Sequence, residues 1–349
     1  MRQITIDGNV FDDSSLPFLI AELGHNHQGN LETCLQMIRA AAFSGASAVK
    51  LQKRSNRDLF TKSAFDAPYN SENAYGSTYG LHREALEFGE EEYKECILEA
   101  KRNNITFFST AFDFQSVDFL MNLGVPALKI ASGDLKTTPL LKYVSTLGVP
   151  LIVSTGGADI SDVDRAVELL LSAGSEFSIL QCTAGYPPKY EELNLNVIET
   201  FRTRYPNTVV GYSGHDSGIA MSLVAFILGA RVIEKHFTLN RAMKGTDHAF
   251  SLEPGGMRKL VRDIERAHIA LGDGKKRVYE SELAPIRKMG KMIIARRDIA
   301  VGTIAELDMF EFRSPSEGLH PYQVDELIGL KFSRNVRSGE SIGMEDFEE

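Results

Sequence analysis

Lysines, histidines, carboxylates and hydroxyls recur in this sequence at one kind of position, the end of a short apolar run. Glu22 closes a run that begins at Phe18 and is followed by GHNHQGN. Lys50 and Gln52 lie in the next run, with Lys53 behind them. Ser109 and Thr110 end the third, and Lys129, Ser132 and Asp134 follow in the fourth. Ser154 and Thr155 precede Gly156 and Gly157, and Thr183 leads to Tyr186. Ser213 comes just before Gly214, His215 and Asp216, and Glu234 and His236 share the last run. Ammonium groups beside hydroxyls and glycine-freed amides suit a phosphate plus a carboxylate. Two imidazoles suit a borderline divalent metal such as Mn²⁺, Zn²⁺ or Fe²⁺, and two protein ligands leave positions open to substrate and water. Glu234 and His236, two residues apart on one strand, point to the same side, while Lys235 faces the other way and reads as structural. Taken singly, each residue has a plainer reading. A strand-end lysine is ordinarily an ion-pair partner, His215 alone could be a core histidine, and His25 and His27 could serve as capping or solvated loop residues. The set as a whole is harder to ascribe to chance than any one member, and it points to chemistry on a phosphate and a carboxylate.

What must position such a set is visible in the runs themselves. There are eight: FLIAEL, AVKLQ, TFFSTA, ALKIAS, PLIVST, FSILQCT, VVGYSG and RVIEKHF, starting at Phe18, Ala48, Thr106, Ala127, Pro150, Phe177, Val209 and Arg231. Each is almost continuously apolar, as parallel strands covered on both faces are. Amphipathic stretches such as NLETCLQMIRAAAFSG, EEEYKECILEAKRNN and DVDRAVELLLSAG lie between them, the last ending in Gly174 as a helix C-terminus does. Eight strand–helix units predict an α/β fold, a (β/α)8 TIM barrel, whose active site lies at the C-terminal strand ends. The open doubly wound alternative lacks a GxGxxG after any strand. One long insertion, Ser55 to Phe88, carries SENAYGSTYGLH and reads as a functional or mobile loop. After GDGKK the texture changes to short strands and turns, with VGT and SGE as turns, which predicts a second, small β-rich domain. The expected domains are residues 1–280 and 285–349.

Composition narrows the function classes. The 349 residues are 43% hydrophobic and 24% charged, with a formal net charge of −9. That balance fits a soluble enzyme and argues against a general nucleic-acid binder, which needs a basic surface. No apolar run reaches the ~20 residues of a membrane span, and no secretory signal core is visible at the start. Three widely spaced cysteines, Cys34, Cys96 and Cys182, suggest neither a disulfide framework nor a zinc site. The expected location is cytoplasmic.

Along essentially its whole length the chain resembles the N-acetylneuraminate (sialic acid) synthases. The segments that carry the resemblance are AELGHNHQGN, VKLQK, LKIASGD, IVSTGG, QCTAGYPP, GYSGHDSGIA, IEKHFTLNRAMKGTDHAFSLEP and FRSPSEGLHP. It implies a TIM barrel joined to a C-terminal antifreeze-like (SAF) domain, in a domain-swapped homodimer where each small domain covers the partner's site. It implies that Lys50, Thr110, Lys129, Ser132, Ser154 and Ser213 hold phosphoenolpyruvate. His215 and His236 match the ligands of a divalent metal, Mn²⁺ in the first place, with Mg²⁺ or Co²⁺ as alternatives. Gln52, Asp134, Tyr186 and Asp247 match sugar contacts, and Arg313 matches an arginine that reaches across the dimer to the acetamido group. Glu22, Asp247 and Glu234 are the candidates to move protons. The implied activity is condensation of phosphoenolpyruvate with an N-acetylated hexosamine, N-acetylmannosamine or its 6-phosphate, to a nine-carbon sugar acid and phosphate. A legionaminic or pseudaminic acid type of synthase is the alternative. Bacterial members often have Glu at the place of Asp134 and Asn at that of Ala184. The SGD, QCT, KGTDHAFSLEP and YGLHREALEF forms are closer to animal-type synthases that use the 6-phosphorylated sugar, whereas GLHP resembles the pseudaminic acid synthases. If the acceptor is phosphorylated, Lys53, Arg54, His82 and Arg83 are the candidate contacts.

Two other kinds of function stand against this reading. A Schiff-base aldolase would use Lys129 or Lys50 as nucleophile. A binding module would rest on the C-terminal domain's likeness to ice-binding proteins, but would have no use for the polar strand ends.

Overall fold

Every one of the eight apolar runs forms a strand, and the eight close on themselves. The computed structural model describes residues 2–348 and divides into two compact units, Met1–Leu271 and Gly272–Glu349. In chain order the strands are β1 (Gln3–Ile6), β2 (Asn9–Asp12), β3 (Phe18–Gly24), β4 (Ala48–Lys53), β5 (Thr106–Ala111) and β6 (Leu128–Ile130). They continue with β7 (Leu151–Ser154), β8 (Phe177–Cys182), β9 (Val209–Gly214), β10 (Val232–His236), β11 (Met292–Ala295) and β12 (Phe310–Arg313). Strands β3 to β10 form a closed parallel barrel, with β10 beside β3. That closure rules out the open doubly wound sheet.

The barrel's outward residues, such as Leu19, Ala21, Val49 and Leu51, pack under the helices with Met37, Ile38, Tyr93 and Cys96. Helix starts are set by short polar side chains that accept otherwise unpaired amides: Asn30 from Thr33, Asp113 from Ser116 and Asp159 from Asp162. Gly174, just past the helix Ile160–Ser172, has a φ of +69°, the left-handed turn of a helix C-terminus.

Inward residues alternate with these at a period of two, and each inward row is apolar low and polar high. Phe18 and Ile20 lead to Glu22, Ala48 to Lys50 and Gln52, Phe108 to Thr110, and Ala127 to Lys129. Ile152 leads to Ser154, Leu180 to Cys182, Val209 to Ser213, and Val232 to Glu234 and His236. The lower members form one buried cluster inside the barrel. The hairpin β1–β2, absent from the sequence reading, closes this end with Ile4 and Ile6, both fully buried. Its turn places Asp7 and Gly8 at φ of +51° and +76°, the conformation an Asp-Gly hairpin turn requires.

Two expectations need correction. The insertion Ser55 to Phe88 is not a bare loop: it carries three short helices, Asn56–Leu59, Lys62–Phe65 and Tyr79–Glu84. The second unit opens with a helix, Glu280–Met289, that the β-rich reading did not foresee. The remainder of that unit follows the expectation, with β11 antiparallel to β12 around Ile293, Ile299, Phe310, Phe332 and Ile342. Gly302 and Gly339, in VGT and SGE, both take a φ of +82° at turns. Among the described residues no helix is long and apolar enough to cross a membrane.

Candidate active site

A cavity of about 420 Å³ opens above the apolar floor of the barrel. Lys50 and Lys129, both buried, come in from β4 and β6. The Lys50 ammonium lies 2.5 Å from Glu22 Oε2 and 3.7 Å from Glu234 Oε1, and donates to Thr110 Oγ1 at 2.7 Å. Lys129 lies 3.8 Å from Glu234 Oε2 and donates to Ser154 Oγ at 2.6 Å. Gln52 donates to Glu22 Oε1 at 2.6 Å. Two ammonium groups and two carboxylates therefore face one another out of water.

Their protonation follows from that burial. Desolvation pushes the Glu22 carboxyl up to about 7, although Lys50 opposes it. Burial acts on Glu234 in the same direction, but Lys129 and Lys50 together outweigh it and hold it below the usual carboxylate range. Burial also draws Lys129 below the ordinary lysine value, against the pull of Glu234.

His215 and His236 stand on one wall, their ring centroids 5.3 Å apart, with Tyr186 4.2 Å from the His215 ring. His215 Nδ1 is 2.9 Å from the Thr183 carbonyl. Donation there fixes the tautomer and leaves the Nε2 lone pair free. His236 Nδ1 is buried, among the described residues without a hydrogen-bond partner, 3.8 Å from Asp247 Oδ2. Burial lowers the His236 pKa, so the ring is neutral near pH 7. Burial raises Asp247, but His236 and the Thr246 hydroxyl outweigh it and keep the carboxylate ionised. Two imidazoles, one with an orphaned nitrogen and a carboxylate beside it, fit a divalent cation held by few protein ligands. Among the described residues no group of three or more His, Cys, Asp and Glu side chains is arranged to hold a metal.

The rim carries Arg54 and Arg83. Arg54 lies flat on the Phe112 ring, 3.7 Å from its centroid, and donates to Gln52 Oε1 at 2.7 Å. Arg83 lies over the Tyr79 ring at 5.1 Å and bonds the Tyr79 hydroxyl at 3.0 and 3.1 Å. His25 sits between them, with Nε2 3.4 Å from Arg54 and Nδ1 3.3 Å from Arg83. Burial and the two guanidinium charges hold the His25 pKa well below its ordinary value.

Of the residues singled out from the sequence, Glu22, Lys50, Gln52, Thr110, Lys129 and Ser132 all line this cavity. So do Ser154, Tyr186, Ser213, His215, Glu234, His236 and Asp247. Asp134 does not: it follows Gly133 in a short 3-10 turn, half-buried, with its carboxyl pushed up to about 6 by desolvation. Arg313 lies on β12 in the second unit, where its side chain is exposed and its ion-pair partner is Glu311 of the same strand. Four polar strand-end residues turn away from the cavity. Ser109 shares a hydrogen bond with Tyr93 at 3.1 Å, Thr155 donates to the Leu180 carbonyl, and Asp216 pairs with the buried Lys235 at 3.0 Å. Lys53 donates to the Phe88 carbonyl at 2.7 Å and pairs with Glu87 at 3.3 Å. His82 is also outside it, its Nδ1 accepting from the Tyr75 amide at 3.1 Å. Cys182 and Phe112 line the cavity without having been singled out. Cys182 was legible: it stands two residues beyond Leu180, on the same inward row.

Known proteins give this geometry a context. Residues 37–276 match the model of the NeuB family, and residues 290–348 match that of the SAF domain. The chain is 37% identical over 326 residues to the N-acetylneuraminate-9-phosphate synthase of Homo sapiens, across 93% of this chain and 91% of that one. It is 36% identical over 328 residues to the N,N'-diacetyllegionaminic acid synthase of Campylobacter jejuni, across 93% and 98% respectively. Its fold is also similar to the crystal structure of the N-acetylneuraminic acid (sialic acid) synthetase of Leptospira borgpetersenii serovar Hardjo-bovis. The TM-score is 0.70 at 34% identity, covering 82% of this chain and 95% of that one.

Proposed function

This chain belongs to the NeuB family, and on that footing we propose that it condenses phosphoenolpyruvate with N-acetylmannosamine or its 6-phosphate. With water, the products are the nine-carbon N-acetylneuraminate, or its 9-phosphate, and inorganic phosphate. The observation that carries the reading is the floor of the cavity. Two buried lysines with a hydroxyl each, at 2.7 and 2.6 Å, converge under a wall of two histidines.

Lys50 and Lys129 hold the carboxylate and phosphate of phosphoenolpyruvate against their mutual repulsion, with Thr110, Ser132, Ser154 and Ser213 completing the cradle. Phosphoenolpyruvate C3 is a weak nucleophile, so the acceptor aldehyde must be polarised. A divalent metal on His215 and His236, Mn²⁺ in the first place, would supply that polarisation when bound. C3 attacks the aldehyde carbon, positive charge grows at C2, water adds there, and the tetrahedral intermediate loses phosphate by C–O cleavage. Glu22, poised near 7, is suited to exchange a proton in these steps, whereas Glu234, held ionised by two lysines, acts as fixed counter-charge. Asp247, 3.8 Å from His236 Nδ1, faces the sugar together with Gln52 and Tyr186.

The same reading places Arg313 against the acetamido group in the partner subunit's site of a domain-swapped dimer. Its guanidinium is exposed and, among the described residues, pairs with Glu311 of the same strand. Arg313→Ala is then expected to raise the sugar KM more than the phosphoenolpyruvate KM, and equal effects on both would remove this part. A legionaminic-type acceptor is the second reading, since the Campylobacter relative is 36% identical where the human one is 37%.

The test is phosphate release from phosphoenolpyruvate with a panel of N-acetylated aldoses. Release should depend on the acceptor, stop on chelation and return with Mn²⁺. Full activity in a verified metal-free sample, or borohydride trapping of the carbonyl substrate on Lys129 or Lys50, would overturn it in favour of a Schiff-base aldolase.

A further inference from the structure

Behind the two histidines, on the side of the barrel wall away from the cavity, lies a buried charge cluster that the chemistry proposed above does not use. Lys235 stands on β10 between Glu234 and His236 and points away from the cavity, and both it and Asp216 are 1% exposed. The Lys235 ammonium donates to Asp216 Oδ1 at 3.0 Å and also to the Asp216 backbone carbonyl. The Tyr212 hydroxyl donates to the same Oδ1 at 2.8 Å, and among the described residues Asp216 Oδ2 has no hydrogen-bond partner. Tyr212 itself is buried in the apolar layer under the helices.

Stability alone does not account for a charged pair here. Taking two ions out of water is costly, and apolar side chains of similar volume serve a core as well or better. A hydrogen-bonded ion pair supplies a fixed direction instead, and its place in the chain says what is fixed. Asp216 follows His215, and Lys235 precedes His236. The pairing of β9 with β10 ends at Gly214 and Lys235, so His215 stands one residue beyond it, whereas His236 is still paired to Glu22 of β3. By holding both the side chain and the carbonyl of Asp216, Lys235 ties the chain beyond β9 back to β10, and His215 lies inside that tie. Gly214 lets the groups come this close: a Cβ there would lie 2.8 Å from Asp216 Oδ1 and 2.5 Å from the Tyr212 ring.

Resting on the reading of His215 and His236 as metal ligands, we propose that Lys235, Asp216 and Tyr212 are positioning residues. They form a buried clamp that sets the separation of the two imidazoles, and with it the affinity of the site for a divalent cation. A site with two protein ligands depends on that separation more than a closed four-ligand site does, because no further side chain holds the ion while one imidazole is displaced. None of the three lines the cavity, so the clamp acts through the backbone of the two histidines.

The experiment measures Mn²⁺ binding to the full chain, without substrates, by electron paramagnetic resonance of the free ion, beside thermal unfolding of the metal-free protein. Asp216→Asn combined with Lys235→Met removes both charges together and keeps an acceptor for Tyr212. This double variant should melt within about 3 °C of the parent, since a buried pair replaced whole costs little. It should nevertheless bind Mn²⁺ at least about tenfold more weakly, the usual weight of a group that orients a metal ligand. Lys235→Met alone, which leaves Asp216 charged and unpaired, should be the least stable variant. Lys235→Arg, which keeps the charge and the donors, should hold Mn²⁺ better than the double variant. Tyr212→Phe keeps both charges, loses one hydrogen bond to the carboxylate and should weaken Mn²⁺ about threefold, so it carries the test if the double variant does not fold. Parental Mn²⁺ affinity in the variants that fold would make the pair an ordinary structural one and overturn the clamp, leaving the metal reading intact. Absence of Mn²⁺ binding in the parent, or binding that survives His215→Ala and His236→Ala together, overturns both.

Discussion

The floor and the rim of the cavity are both built around basic residues, yet they carry charge in opposite ways. On the floor two lysines face two glutamates, all four buried, with ammonium–carboxylate distances from 2.5 to 3.8 Å. At the rim three cations, Lys53, Arg54 and Arg83, meet two carboxylates, Glu87 and the more distant Asp247. A buried ion that lost its partner would be strongly destabilising, so the floor needs its counter-ions inside the protein before any substrate arrives. The rim, closer to water, can leave charge unmatched. An anion reaching the floor must therefore displace an internal carboxylate, while an anion reaching the rim completes an unfinished pairing. The floor holds the substrate that reacts, and the rim can discriminate among acceptors.

The largest expected effect lies on the floor. Lys129→Met should lower kcat/KM for phosphoenolpyruvate by about 10³-fold or more and leave Glu234 with one cation instead of two. The melting temperature should fall as well, and Glu234→Gln added to Lys129→Met should restore most of it without restoring activity. If Lys129→Met costs no more activity than Arg83→Gln, the floor is not the more stringent of the two regions.

This contrast was only half legible in the sequence. The floor could be read, because alternation along a buried strand is strict: once Ile20, Phe108 or Ile152 faces inward, Glu22, Thr110 and Ser154 must do so too. The same rule would have given Cys182, two residues past Leu180, and turned Ser109 and Thr155 away. The rim could not be read in this way. Arg54 lies beyond the end of β4 and Arg83 on a short helix inside a long insertion, so no period fixes where either side chain points. Stacking of Arg54 on Phe112 and the hydrogen bonds of Arg83 to the Tyr79 hydroxyl decide it, and those rings are distant in sequence or folded back locally. The β1–β2 hairpin was missed for a different reason. Its Asp7-Gly8 turn between alternating Ile4, Ile6, Val10 and Phe11 is a strong local signal, but it belongs to no strand–helix repeat.

A smaller effect tests how the floor admits an anion. Glu22 must give up the Lys50 ammonium when phosphoenolpyruvate binds, and it does so most easily by taking a proton. Its carboxyl sits near 7 and the incoming negative charge raises it further. The protonated form is the one that binds, so affinity is fully present below about 7 and is lost as pH rises through it. The phosphoenolpyruvate KM should climb up to about tenfold per pH unit above that point, where the substrate phosphate is already ionised. Glu22→Gln should flatten this dependence even though it slows turnover. A slope that persists in Glu22→Gln would assign the proton to another group.

The smallest effect is expected one residue from the largest change in orientation. Lys53 and Arg54 are consecutive, and their side chains part at the end of β4. Arg54 turns onto Phe112 and lines the cavity. Lys53 turns outward, donates to the Phe88 carbonyl at 2.7 Å and lies 4.8 Å from the centre of the Phe119 ring. Lys53→Met keeps the stem over Phe119 but gives up the carbonyl bond and one cation on Glu87, which still has Arg54. A lost bond to a charged donor of this kind amounts to about 1–2 kcal/mol, or a melting point lower by a few degrees in a chain of this size. Because the ammonium touches neither substrate, kcat/KM for N-acetylmannosamine and its 6-phosphate should stay within about threefold, the residue of a partly screened field. Thermal unfolding read beside the two sugar kinetics decides the matter. If Lys53→Met instead changes the sugar kinetics as far as Arg83→Gln does, the rim acts through its summed charge and Lys53 is part of it.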